Sequence, residues 1–162
     1  MIIRFKKSKD KSTLHCIRND GSTTWTTIHK GMEIHDLAHF AVEITLGYKN
    51  AFYGLLNEGF TIQDFGLSRE KRPKKLLPKN LPKEALQTEH IVNLLQIQYQ
   101  NKPIDFDIIS ALKPILTENQ LPFPSNLDQL NAKVISKKLD DLMNRWENLE
   151  QNGILALEFD IT

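Results

Sequence analysis

The sequence predicts one α+β domain: a four-stranded, mostly antiparallel sheet, made of an N-terminal meander and a C-terminal strand, with about five helices on one side. Three observations predict it. Strand-forming residues flank an Asp20-Gly21 turn near the N-terminus. Apolar residues then recur at helical spacing from Ile34 onward. From Ile154 to Ile161 the chain returns to strict alternation.

The N-terminal region holds three strands. Ile2–Phe5 is short and mostly apolar, and Ser12–Arg18 and Thr23–Ile28 are rich in Thr, Ile, Leu and Trp. Between the last two, Asn19-Asp20-Gly21-Ser22 supplies the positive φ angles of a tight hairpin turn. Gly31 closes the sheet segment. Ile34, Leu37, Ala38, Ala41, Ile44 and Thr45 then take up a helical period that Gly47 ends. A short second helix is expected over Asn50–Asn57, with Gly59 as its stop. Residues 67–82 are basic and broken by Pro73, Pro78 and Pro82, and read as an exposed loop that includes Leu76 and Leu77.

A third helix follows from about Pro82 to Gln100. A fourth starts near Asp105 and is disturbed at Pro114, and a fifth runs from a Ser125 or Asn126 cap to about Gln151. The fifth carries an apolar stripe of Ala132, Ile135, Leu139, Leu142, Trp146 and Leu149, widened by Leu127, Leu130, Val134 and Met143. The stripe suits packing on the sheet. A seam for homo-oligomerisation through residues 126–151 is the other reading. In the final strand Leu155, Leu157 and Phe159 alternate with Ala156, Glu158 and Asp160, and pairing with the meander satisfies its backbone groups.

Composition narrows the functional classes. A chain of 162 residues, 40% of them hydrophobic, suits a single domain over 1–162 with a sizeable core. Lys plus Arg number 21 against 20 Asp plus Glu, so nucleic acid is not an expected partner, and any such contact must rest on a local patch. The 67–82 segment concentrates Arg69, Lys71, Arg72, Lys74, Lys75 and Lys79 without a stacking aromatic, and reads as a solvated loop. Cys16 is the one cysteine, which excludes an intrachain disulfide. Charges in MIIRFKKSKDKS occupy the place of a signal's apolar stretch, and no run reaches a membrane span; the expected location is cytoplasmic. Glycine-rich phosphate loops, paired-cysteine knuckles and nucleophile elbows are absent.

One cluster points to chemistry: His35, Asp36, His39 and Glu43 on the first helix. Histidines at i and i+4 lie on one helical face, one turn apart, so two imidazoles can meet one ion. His35 and His39 are the candidate metal ligands, for zinc or another divalent cation. Asp36 is the candidate catalytic group, a carboxylate that orients or deprotonates a bound water. It stands where zinc peptidase helices carry Glu, and its shorter side chain sits farther from such a water. Glu43 lies roughly 12 Å along the axis from His35, beyond shared ligation, and leans toward His39; its expected role is a hydrogen bond to that ring from outside the ligand set. A helical wheel puts the histidines at the boundary of the apolar arc, with His39, Glu43 and Asp36 on the polar side. A third ligand must come from elsewhere, and His15, His29, Glu58, Glu89 and His90 are all candidates.

The run from His35 to Glu43, followed by Gly47 and Phe52-Tyr53-Gly54-Leu55, resembles a helix-turn-helix stretch in an uncharacterised bacterial family of small proteins. That resemblance implies a bacterial cytosolic protein and no particular activity. The His-Asp-x-x-His string is also similar to that of a zinc-binding ubiquinone-biosynthesis family, whose motif adds a Glu at the position held here by Ala51. Phosphohydrolases with a His-Asp metal motif share the dipeptide, but they are all-helical, and the opening strands argue against them.

Two functions compete. One is a metal-dependent hydrolase built on His35, Asp36 and His39. The other is a non-catalytic binding or assembly module, in which the cluster is a polar network: Asp36 complements the helix dipole and His39–Glu43 is an ordinary i,i+4 pair.

Overall fold

The computed structural model describes residues 1–102 and 106–161. Strands β1 (Ile2–Lys6), β2 (Lys11–Ile17), β3 (Thr23–His29) and the C-terminal β4 (Ile154–Glu158) pair antiparallel in the order β3-β2-β1-β4. The α+β class and the pairing of the last strand with the N-terminal meander are therefore as the sequence predicts, and the strand it joins is β1. Alternation sorts the side chains: Ile3, Phe5, Leu14, Cys16, Leu155 and Leu157 are buried, while Arg4, Lys6, Trp25 and Ala156 face outward. Helices cover only the first of these faces.

The β2–β3 connection departs from the expected tight turn. Gly21 N donates to Arg18 O (3.0 Å), Arg18 N donates to Ser22 O (2.9 Å), and within the connection Gly21 alone has a positive φ, +83°. This is a longer turn closed by a glycine bulge. Asp20 accepts from Ser22 N and Oγ instead of adopting a positive φ itself.

Five helices form the second layer: α1 (Glu33–Leu46), α2 (Phe52–Glu58), α3 (Lys83–Gln100), α4 (Ile108–Glu118) and α5 (Gln129–Glu147). The expected start of the fourth near Asp105 lies outside the described residues. Pro114 sits inside α4 without breaking it. α5 begins later than Ser125 or Asn126, because Asp128 accepts from Asn131 N (2.8 Å) and is the cap. It ends at Glu147, short of Gln151, and Lys7 Nζ donates to the terminal carbonyls of Trp146, Glu147 and Leu149 at 2.9 Å each. The α5 stripe turns into the domain, onto α1 and the sheet, and Trp146 meets Phe5 edge-on at 6.3 Å. Leu130 and Val134, expected to widen it, are instead exposed.

Residues 67–82 are less loop-like than their composition. Two short 3-10 turns, Lys74–Leu76 and Pro78–Asn80, organise them, and Leu76 is only 2% exposed. Most of the basic side chains stay outside while this leucine anchors the segment. Among the described residues no helix is long and apolar enough to cross a membrane.

α1 occupies the middle of the helical layer, with α2, α3 and α5 packed around it. This corrects the wheel: α1 has almost no solvent side, and His39 and Glu43 are 2% and 0% exposed. The arc that reads as polar is roofed by α2 and α3. Polar groups placed there must find partners within the protein.

Candidate metal centre

Gly47, at φ +67°, ends α1 and reverses the chain into α2. α2 returns so closely that a Cβ on Gly54 would lie 2.4 Å from the backbone carbon and oxygen of Lys49. Glycine is required there by close approach. Both ends of α2 are fixed by charge. At its start Gly54 N donates to Glu43 Oε2 at 3.1 Å. In its last turn and just past its end Arg18 donates to the carbonyl oxygens of Leu56 and Phe60. A carboxylate at a helix N-terminus and a cation at the C-terminus both match the helix dipole.

Glu43 uses its other oxygen on the cluster. Oε1 stands 3.3 Å from His39 Nδ1. His39 Nε2 points the opposite way, 3.3 Å from Glu89 Oε1 on α3. The His35 ring lies edge-on to His39, with centroids 4.8 Å apart, and Phe52 closes the far side of His39 at 5.5 Å. On the same helix as Glu89 and two turns along, Gln96 Nε2 is 3.3 Å from His35 Nδ1, which leaves His35 Nε2 uncommitted. His35, His39 and Glu89 together offer three ligand atoms all within 4.8 Å of one another.

The predicted residues thus fall into three positions. His35 and His39 converge. Glu43 touches His39 and stands behind it, away from the point where the three donors meet. Asp36 is half-buried beside them, outside the donor triad; its backbone oxygen accepts from Tyr53 Oη at 3.1 Å, and its carboxylate has no hydrogen-bond partner among the described residues. Of the five candidates for a third donor, the fold brings Glu89 to the site. Ala51, where the ubiquinone-biosynthesis motif has its Glu, is the buried residue that opens α2. Gln96 and Gly54 carry no ligand signal in sequence. The spacing of Glu89 and Gln96, seven residues apart on one helical face, is the feature that relates them.

Electrostatics separates the groups. Burial pushes His39 down, but hydrogen bonds to Glu43 and Glu89, and their charge, outweigh it and lift it to about 9. The same hydrogen bond from His39 lowers Glu89 against its own burial. Burial raises Glu43, opposed by His39. Burial and the neighbouring His39 both lower His35. Asp36 is raised to about 6, by burial first, with His39 working against it. Cys16 is pushed up to about 12 by burial, which makes it an inert core thiol.

The centre opens to solvent at Glu89, whose side chain is 53% exposed. Five surface clefts of the molecule are lined by other residues. Compared with known protein families, curated proteins and solved structures, the chain matches none.

Proposed function

We propose that His35, His39 and Glu89 hold one divalent cation, zinc by the character of the donors, and that the chain is a metal-dependent hydrolase. The supporting observation is that three donor atoms from two helices lie within 4.8 Å of one another. Two imidazoles and a carboxylate are a donor set of catalytic zinc sites, which keep a fourth position for water. Ligand bonds of roughly 2.0–2.2 Å in tetrahedral geometry put donors roughly 3.3–3.6 Å apart. Glu89, the exposed member, closes the remaining gap by changing rotamer. A cation between His39 Nε2 and Glu89 replaces the proton they share.

Glu43 then does what outer partners of zinc histidines do: it accepts from Nδ1, fixing ring orientation and tautomer. Gln96 serves His35 likewise after an amide flip presents its oxygen to Nδ1–H. A cation held by these residues would supply Lewis acidity. Asp36, half-buried beside the histidines, would be the group that accepts a proton there.

A second reading has its own observation. Without an ion, His39 is satisfied between Glu43 and Glu89, and Glu43 closes the start of α2. That is what a non-catalytic assembly module needs from a polar cluster.

Elemental analysis of protein purified without a metal-binding tag, followed by zinc titration against a chromophoric chelator, separates the two. The expected result is one equivalent of metal, lost in His39→Ala and Glu89→Gln and weakened about 10–100-fold in Glu43→Gln. Asp36→Asn should retain the metal while losing hydrolysis of an activated ester or phosphoester. Equal, total loss in Glu43→Gln would make Glu43 a direct ligand. No uptake by the wild-type chain would leave the assembly reading.

A further inference from the structure

Among the described residues no helix covers the second face of the sheet. Across its middle, Trp25 on β3 stands opposite His15 on β2, and His15 opposite Arg4 on β1. Neighbouring strands lie roughly 4.8 Å apart, so three planar side chains form one row about 10 Å long. Trp25 is 56% exposed. Among the described residues neither Trp25 nor His15 stacks on another ring, and Arg4 forms no ion pair. Lys6 and Lys11 project from the same face, and Glu158 is the single acidic residue at its strand positions. In a chain of net charge +1 this is a local concentration of positive charge.

The row is also held in place. Gln63 Nε2 donates to Trp25 O at 2.7 Å and Ile62 N donates to Thr24 Oγ1 at 2.9 Å, so residues 62–63 fasten the outer edge of β3. The backbone oxygen of Trp25 is thereby already occupied on the β3 edge.

We propose that this face binds single-stranded nucleic acid, with bases stacked on Trp25, His15 and the Arg4 guanidinium and phosphates met by Lys6 and Lys11. Exposed aromatic and guanidinium planes recognise unpaired bases whatever their sequence, and lysines track the backbone. A second copy of the chain is a poorer occupant, because two-fold packing of this face on itself sets Arg4, Lys6 and Lys11 against their own like charges. Duplex is a poorer occupant too, since its bases are already stacked and a flat face enters neither groove. The inference is independent of the metal centre, which lies on the other side of the sheet.

Fluorescence anisotropy with labelled 12-nucleotide oligouridylate and oligothymidylate, and a hairpin duplex for comparison, tests it on the full chain. Both single strands, or one if the sugar is read, should bind more tightly than the duplex. Trp25 emission should be quenched; Trp146, the only other tryptophan, is buried and should contribute little change. Trp25→Ala should weaken binding about 5–100-fold and Trp25→Phe much less, because each stacked base is worth roughly 1–3 kcal/mol. Arg4→Glu should weaken it with an unchanged melting temperature. For the two phosphates met by Lys6 and Lys11 the logarithmic salt slope should be about −1.4. The proposal is overturned by duplex binding as tight as single strand, by unaltered affinity in both Trp25→Ala and Arg4→Glu, or by no binding up to about 100 µM, the weak end of non-specific association. Protein-dependent quenching of Trp25 without oligonucleotide would assign the face to a second copy and equally overturn it.

Discussion

Gly54→Ala is the sharpest perturbation of the candidate centre, because it changes one methyl group at a residue that carries no chemistry. The added Cβ would sit 2.4 Å from Lys49 C and O and 3.0 Å from its Cα, all backbone atoms that no rotamer can move aside. Relief to ordinary contact requires α2 to retreat by about 1 Å. The Gly54 N–Glu43 Oε2 hydrogen bond, now 3.1 Å, then stretches past useful length. Overpacking costs roughly 1–3 kcal/mol, and removing a donor from a buried carboxylate costs roughly 1–3 kcal/mol more. Alanine returns up to about 1 kcal/mol of helix propensity. The net expectation is a loss of about 1–5 kcal/mol in urea unfolding followed by circular dichroism. Gly66→Ala is the control, since a Cβ there meets nothing within 4 Å, and it should fall within about 0.5 kcal/mol of wild type. If metal is bound, the displaced Glu43 should also weaken zinc affinity about 10–100-fold, at a residue that touches no ion. A Gly54→Ala protein as stable as wild type, or more stable, would refute the close-approach argument and with it the account of how Glu43 is held.

Three further outcomes follow from the same geometry. In metal-free protein, His39 is raised from 6.5 to about 9, so its contribution is complete below pH about 6.5 and fades as pH rises through about 9; Asp36, raised from 3.8 to about 6, removes stability earlier, between those two values. His35, lowered by burial and by His39, acts in the opposite direction below pH about 6.5, so the signal to read is the fall in melting temperature between pH about 6.5 and about 9, which His39→Gln should erase; a fall unchanged in that variant would contradict the assignment. Truncation after Asn152 strips Leu155, Leu157 and Phe159 from the core and opens the β1 edge, so the shortened chain should be insoluble or melt far lower, and an unaltered melt would refute the role given to β4. Arg18→Met leaves the carbonyls of Leu56 and Phe60 without their cation and should cost about 2–3 kcal/mol by denaturant titration, with a cost near zero counting against the clamp on α2.

What the sequence displays, and what it hides, divides along the range of the interactions involved. The strands are legible because alternation in Leu155, Leu157 and Phe159 reports one buried face directly. The convergence of His35 and His39 is legible because helix geometry alone brings i and i+4 together, and the axial rise alone carries Glu43 away from an ion held by both. The identity of Glu89 is hidden, because the choice among five carboxylates and imidazoles is made by the packing of α3 on α1. The depth of the site is hidden for the same reason: a wheel for α1 assigns Asp36, His39 and Glu43 to a polar side, and only α2 and α3 turn that side into interior. Once it is interior, the physics runs the other way. A carboxylate as fully enclosed as Glu43 must be matched by donors, and the chain supplies them from Gly54 on α2 and His39 on α1. His39, held as an imidazolium or freed for an ion, must in turn be matched on its outer nitrogen, and Glu89 supplies that. The cluster is thus one chain of obligations running from the start of α2 to the surface of α3. A metal ion would take the place of its last link, the proton between His39 and Glu89, so the same scaffold would serve both readings and uptake of the ion decides between them.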